Sequence, residues 1–224
     1  MSNISFMNLI SSKPIEKRTK DQLIVAYNKN RKIFSQVPNK KFKIIICNSE
    51  EEWKEESKYY YFPFGAGTVL RDGTLIVKEQ KLLTRNNKEY QKLLDHEMNH
   101  VFFLLIYGLT RPLWIQEGLA NFVGGYPFSK KDTLKKIKEK KISCKILQYR
   151  YLNKNFPDKE TVKLMYSIWR YFVGFITNNN PKKITKFMEI YTKNPSKKNY
   201  LNLFYRFFKK DDKQKFEEFI SWLN

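Results

Sequence analysis

His96-Glu97-Met98-Asn99-His100 is the stretch on which the reading of this chain turns. Residues four apart on a helix share a face, so two imidazoles at this spacing can reach one metal ion while Glu97 overlooks the same point. The chain has only two histidines, and both stand here. Of roughly 25,000 ways to place two histidines, about 220 put them four apart, and requiring the intervening Glu cuts that a further ~15-fold. Chance is a poor explanation.

Working outward, Tyr90, Leu93, Leu94, Met98, Val101, Phe102, Leu105 and Ile106 recur at helical packing intervals, which predicts a helix from about Asn87 to Tyr107 stopped by Gly108. Before it, residues 64–70 and 74–78 read as two strands joined by Arg71-Asp72-Gly73, since Asp-Gly supplies the positive φ of a tight hairpin. After it, Pro112 suits the start of a second helix carrying Trp114 and Glu117 and ending near Gly124-Gly125. Nearer the N-terminus, residues 14–34 read as a charged helix closed by Pro38-Asn39, and Phe42–Cys47 as a buried strand. The acidic run 50–56 reads as a solvated helix with Trp53 facing the core. Beyond Pro127 all is helical: a basic helix over 130–141 capped by Ser129, a long apolar one over 159–177 opened by Pro157-Asp158, then 182–192, 197–208 and 212–223. The layout is α+β, a small N-terminal sheet with the motif helix followed by a mostly helical C-terminal part. We expect residues 1–40 to form an N-terminal helical segment and 41–224 one catalytic unit. Within that unit, 41–108 holds the sheet and motif helix, 111–125 the second helix and 129–224 the remaining helices.

Composition narrows the classes. Hydrophobic residues make up 42% and aromatics 16%, which excludes a disordered chain. The formal charge of +21 would suit nucleic acid or an anionic surface, but the lysines are spread along the chain and no nucleic-acid-binding motif accompanies them. A compositional bias accounts for the charge more simply, and nucleic acid is not the expected partner. Cys47 and Cys144 are far apart and suggest neither a disulfide framework nor a cysteine metal site. Residues 1–10 lack the pattern of a signal peptide, and the longest apolar run, 101–109, is too short to span a bilayer. A soluble, cytoplasmic protein is the expectation.

A catalytic zinc ion takes three protein ligands and leaves a fourth position for water, so a third ligand must come from elsewhere. Many Asp and Glu residues are available. Sixteen residues separate His100 from Glu117, room for the rest of one helix, a turn and the start of another. Here the sequence, HExxH followed by Trp114-Ile115-Gln116-Glu117-Gly118-Leu119-Ala120, resembles the gluzincin zinc metallopeptidases, in particular the peptidase MA-like group. The resemblance covers about residues 60–224 and is strongest over 96–120. It implies a zincin-like fold, one catalytic Zn2+ held by His96, His100 and Glu117, and Glu97 as general base toward the attacking water. It also implies a tyrosine hydroxyl that stabilises the oxyanion. Tyr166, in Leu164-Met165-Tyr166-Ser167, stands where that group carries it, with core packing as the alternative and Tyr171 as the nearest rival. Phe204 to Phe208, Phe216, Phe219, Trp222 and Leu223 resemble the group's closing helices.

One position departs from the pattern. Four residues after the zinc Glu, relatives often carry an acid that orients a zinc histidine, and this chain has Asn121, whose carbonyl can accept an imidazole N–H without adding charge. Gly65 and Gly67, in the first strand of the hairpin, are expected to form an edge against which a peptide or protein substrate lies extended. A zincin-fold binding protein that has lost catalysis, a regulator-cleaving zincin, and a basic nucleic-acid-associated protein are the competing readings. An intact Glu97 argues against the first, and Trp114 and Gly118 against the second. The natural substrate and the oligomeric state are not legible.

Overall fold

The computed structural model describes residues 6–58, 65–83, 86–108, 112–148 and 158–224. Phe64 and Pro157, invoked above for the hairpin and for the long apolar helix, lie outside them. The chain divides into two compact units, Met1–Leu109 and Thr110–Asn224.

The first unit is α+β. Its strands are β1 (Met7–Ile10), β2 (Phe42–Cys47), β3 (Gly67–Val69) and β4 (Leu75–Lys78), and its helices α1 (Lys17–Arg31), α2 (Glu50–Ser57) and α3 (Asn87–Tyr107). The sheet order is β1-β2-β4-β3. β1 and β4 flank β2 in parallel, with Met7 opposite Phe42 and Ile44 opposite Leu75, while β3 closes the sheet antiparallel to β4, Gly67 opposite Val77. All four residues of β4 are buried, as an inner strand covered on both faces requires. β1 falls inside the segment expected to be helical and joins the same sheet.

The hairpin forms as its turn predicts. Gly73 takes φ +90°, and Asp72 accepts hydrogen bonds from the Thr74 backbone N–H and hydroxyl, both at 2.9 Å. A β-carbon on Gly73 would fall 2.5 Å from Leu105 Cδ2, so the turn lies directly on α3. In α2, Ser49 caps the first turn and Trp53 is fully buried. Lys78, itself buried, pairs with Glu50 at 2.7 Å.

α3 begins with a capping box, the Asn86 side chain accepting from the Glu89 N–H while Glu89 reaches back to the Asn86 N–H, and it ends at Gly108, φ +73°. Apolar packing against α1 joins Phe102 to Tyr27 and Phe34, with ring centroids 5.1 and 5.4 Å apart. Polar groups are buried along the same contact. Asn30 Nδ2 donates to the carbonyls of Ala26 (3.0 Å) and Asp95 (3.1 Å), and its Oδ1 accepts from Asn99 Nδ2 at 2.8 Å. The Asp95 carboxylate accepts from Lys29 at 2.5 Å and from Gln91 at 2.8 Å.

The second unit is helical among its described residues: α4 (Leu113–Gly124), α5 (Lys130–Glu139), α6 (Lys159–Thr177), α7 (Lys182–Tyr191), α8 (Lys197–Phe208) and α9 (Asp212–Leu223). α4 packs on α6 with no room to spare at Gly118, where a β-carbon would meet the Trp169 carbonyl oxygen at 2.7 Å and Val173 Cγ2 at 2.8 Å. Around this contact Trp114 sits edge-on to Phe172 (5.2 Å), and its indole N–H donates to Tyr200 Oη at 3.2 Å. Phe172 in turn packs edge-on against Phe219 of α9. Ser129, Asp158, Ser196 and Asp211 cap α5, α6, α8 and α9. Among the described residues, no helix is long and apolar enough to cross a membrane.

Candidate metal centre

Both histidines project from α3, and their Nε2 atoms converge to 3.1 Å with the rings nearly perpendicular, 80° between planes. Two nitrogens bound at ~2.0–2.1 Å to a tetrahedral zinc would stand about 3.3–3.4 Å apart. The pair therefore meets the ion's requirement within a few tenths of an ångström. His96 is buried and His100 half-buried.

The helix that carries the pair is held on an adjacent flank. Asp95 and Asn99 each precede a histidine by one residue and repeat the same four-residue spacing, about 100° round the helix. Asn30 of α1 binds the Asp95 carbonyl and the Asn99 amide at once and so fixes the rotation of α3 about its axis. Nothing in the sequence marks these three residues, because an Asn 65 positions from its partner carries no periodic or motif signal.

Glu97 is buried, 7% exposed, and lies against β3. A β-carbon built on Gly67 would stand 2.6 Å from its Cγ, 2.7 Å from its Cδ and 2.9 Å from its Oε1. The space left by the missing side chain of Gly67 is thus filled by Glu97. Gly65 precedes β3 and is not part of the strand. β3 remains an edge of the sheet, as expected.

The other expected site residues belong to the second unit. Glu117 lies in α4, buried at 9% exposure. One turn later Asn121, 1% exposed, donates from Nδ2 to the Glu117 carbonyl oxygen at 2.7 Å. It is not an ordinary surface residue of the helix, and the bond ties it to the backbone of the residue assigned as ligand. Tyr166 lies half-buried in α6, its ring 6.3 Å from that of Trp169. Its rival Tyr171 has its hydroxyl committed to the Phe128 carbonyl oxygen.

Cys47 is fully buried beside Trp53 and Ile76, and desolvation, helped by the nearby Glu52 and Glu56, pushes its thiol up to about 12. Compared with protein families and with curated proteins, the chain matches no family model and no curated sequence.

Proposed function

We propose that this protein is a zinc-dependent peptidase of zincin-like fold, with His96, His100 and Glu117 holding the ion and Glu97 acting as general base. The observation that carries the reading is the convergence of two imidazole nitrogens from one helix that also carries a buried glutamate between them in sequence. Two neutral imidazoles and one carboxylate form a donor set that suits zinc and leaves one position for water. Bound there, the ion supplies Lewis acidity, which polarises a peptide carbonyl and brings the pKa of a water to about 7.

The protein's own groups do the rest. Glu97 takes the proton of the attacking water and returns it to the leaving amine, so one carboxylate serves as base and then as acid. Tyr166 is proposed to donate its hydroxyl proton in a hydrogen bond to the tetrahedral oxyanion. Asn121, by holding the carbonyl of Glu117, steadies the carboxylate that completes the ligand set. The substrate is a peptide or protein segment lying extended along β3, the edge of the sheet next to Glu97.

The experiment is to purify the protein, measure its metal content, and compare wild type with Glu97→Gln on a peptide library. About one zinc per chain is expected in both. Chelation should abolish cleavage, and the variant should cleave at least ~10²-fold more slowly. The 3.1 Å contact also suits an imidazole N–H donating to its neighbour, and a protein that takes up no zinc would establish that reading instead. Cleavage that survives in Glu97→Gln would sink the assigned mechanism, and stoichiometric zinc without any cleavage would identify a binding protein.

A further inference from the structure

The contact between Glu97 and Gly67 gives β3 a role beyond that of a substrate edge. Glu97 projects from α3 toward the sheet, and its Cγ, Cδ and Oε1 all lie within 3 Å of the point where any side chain at position 67 would begin. Real β-carbons do not approach other atoms that closely, so residue 67 and the rotamer of Glu97 are mutually exclusive for every amino acid but glycine. Gly67 has no need of glycine for its backbone, since it lies in a regular strand paired with Val77 and takes no positive φ. The three atoms nearest to such a side chain all belong to Glu97. The carboxylate is thereby held between its own helix and a strand whose other side is bonded to β4, itself buried on both faces.

We infer that Gly67 is the positioning residue for Glu97: the bare backbone of β3 is a wall that fixes the base at the depth from which it reaches the attacking water. The catalytic half of this inference rests on the proposed function, while the contact itself does not. A side chain at 67 displaces the carboxylate and leaves both histidines where they are, because these are aimed from the α1 side of α3.

The test is Gly67→Ala, Glu97→Ala and the double variant, with three measurements on each: zinc content, melting temperature, and kcat and KM on a peptide cleaved by the wild type. Gly67→Ala should keep its zinc, lower kcat by about 10²-fold and leave KM within about threefold, since a base moved by ~1 Å loses rate and not binding. It should also lower the melting temperature by about 3 °C or more in the wild-type background. In the Glu97→Ala background, where all three crowded atoms are gone, the same substitution should leave the melting temperature unchanged. The Glu97→Ala background also serves if Gly67→Ala alone fails to fold, since folding of the double variant would then show the coupling directly. Melting effects that add overturn the contact as the reason for the glycine. Unchanged kcat in Gly67→Ala, or a raised KM at unchanged kcat, overturns the positioning role, the latter returning the glycine to the substrate. A wild type that cleaves no peptide defeats the proposed function and the catalytic half together, while the coupling of melting temperatures still decides whether Gly67 holds Glu97.

Discussion

Replacing Gly118 with Ala puts the motif Trp114–Ala120 to a test whose sign is informative. In an unobstructed helix interior the change would be favourable by about 0.5–1 kcal/mol, because alanine loses less conformational freedom on folding. Here the new carbon would lie 2.7 Å from the carbonyl oxygen of Trp169 and 2.8 Å from Val173 Cγ2. The first of these is backbone in the middle of α6 and cannot rotate away, so α4 must retreat by about 0.5 Å, and forced overpacking of this kind costs about 1–3 kcal/mol. Set against each other, the two predict a net loss of up to about 2.5 kcal/mol, or up to roughly 10 °C in melting temperature for a chain of this size. If Glu117 is the third ligand, as proposed, the same retreat should weaken zinc binding by about 10- to 100-fold, since Glu117 is the neighbouring residue. Gly174→Ala is the control. Its neighbours are the Asn179 side chain at 3.1 Å and the edge of the Phe122 ring at 3.4 Å, both able to give, so its melting temperature should stay close to that of the wild type. Calorimetry of the two variants and a competitive zinc titration make the measurement. A Gly118→Ala protein that melts at or above the wild-type temperature refutes the close approach of α4 to α6.

One further substitution and one reagent probe the first unit. Asn30→Ala leaves the buried Asn99 amide without its acceptor and should cost about 2–3 kcal/mol, read as a lower midpoint in urea with an unchanged slope; a wild-type midpoint would mean that the polar contact does not hold α3. Cys47, its thiol pushed up to about 12 by burial, should resist iodoacetamide at pH 8 in the native protein and react on unfolding. The raised value also sets a direction: the folded state keeps the proton longer than the unfolded one, so the group's contribution is intact below the ordinary thiol range and is lost as pH climbs toward 12. Rapid labelling of Cys47 in the folded protein contradicts the burial.

The elements that could be read from the chain are those whose signals are local. α3 runs over Asn87–Tyr107 as its apolar spacing predicts, with Gly108 at its end, and β2, α2, α6 and α9 fall where their caps and patterns place them. Ser129 and Asp158 each accept from the backbone N–H three residues on, so short polar residues before these helices are reliable marks. β1 was not legible. Met7–Ile10 has four residues and no alternation, and what makes it a strand is a parallel partner 35 positions away. The site divides the same way. His96, Glu97 and His100 are fixed by spacing along one helix, whereas the meaning of Gly67 depends on a glutamate 30 positions later, which no pattern along the chain connects to it. Only the packing of α3 on β3 shows that the room at Gly67 is already taken.

The order β1-β2-β4-β3 also ranks the strands by the entropy of bringing them together. Val69 and Leu75 are six positions apart, while Ile44 and Leu75 are 31 apart and Met7 and Phe42 are 35. With loop closure scaling as the logarithm of length, each parallel pairing costs about 1.5 kcal/mol more to close than the hairpin. The strand that confines Glu97 is therefore the least costly part of the sheet to close, whereas the parallel strands depend on what the helices bury against them. A change that loosens α1 or the N-terminal strand is borne first at the far edge of the sheet, and the β3–β4 ribbon beside the carboxylate is the last part of it to open.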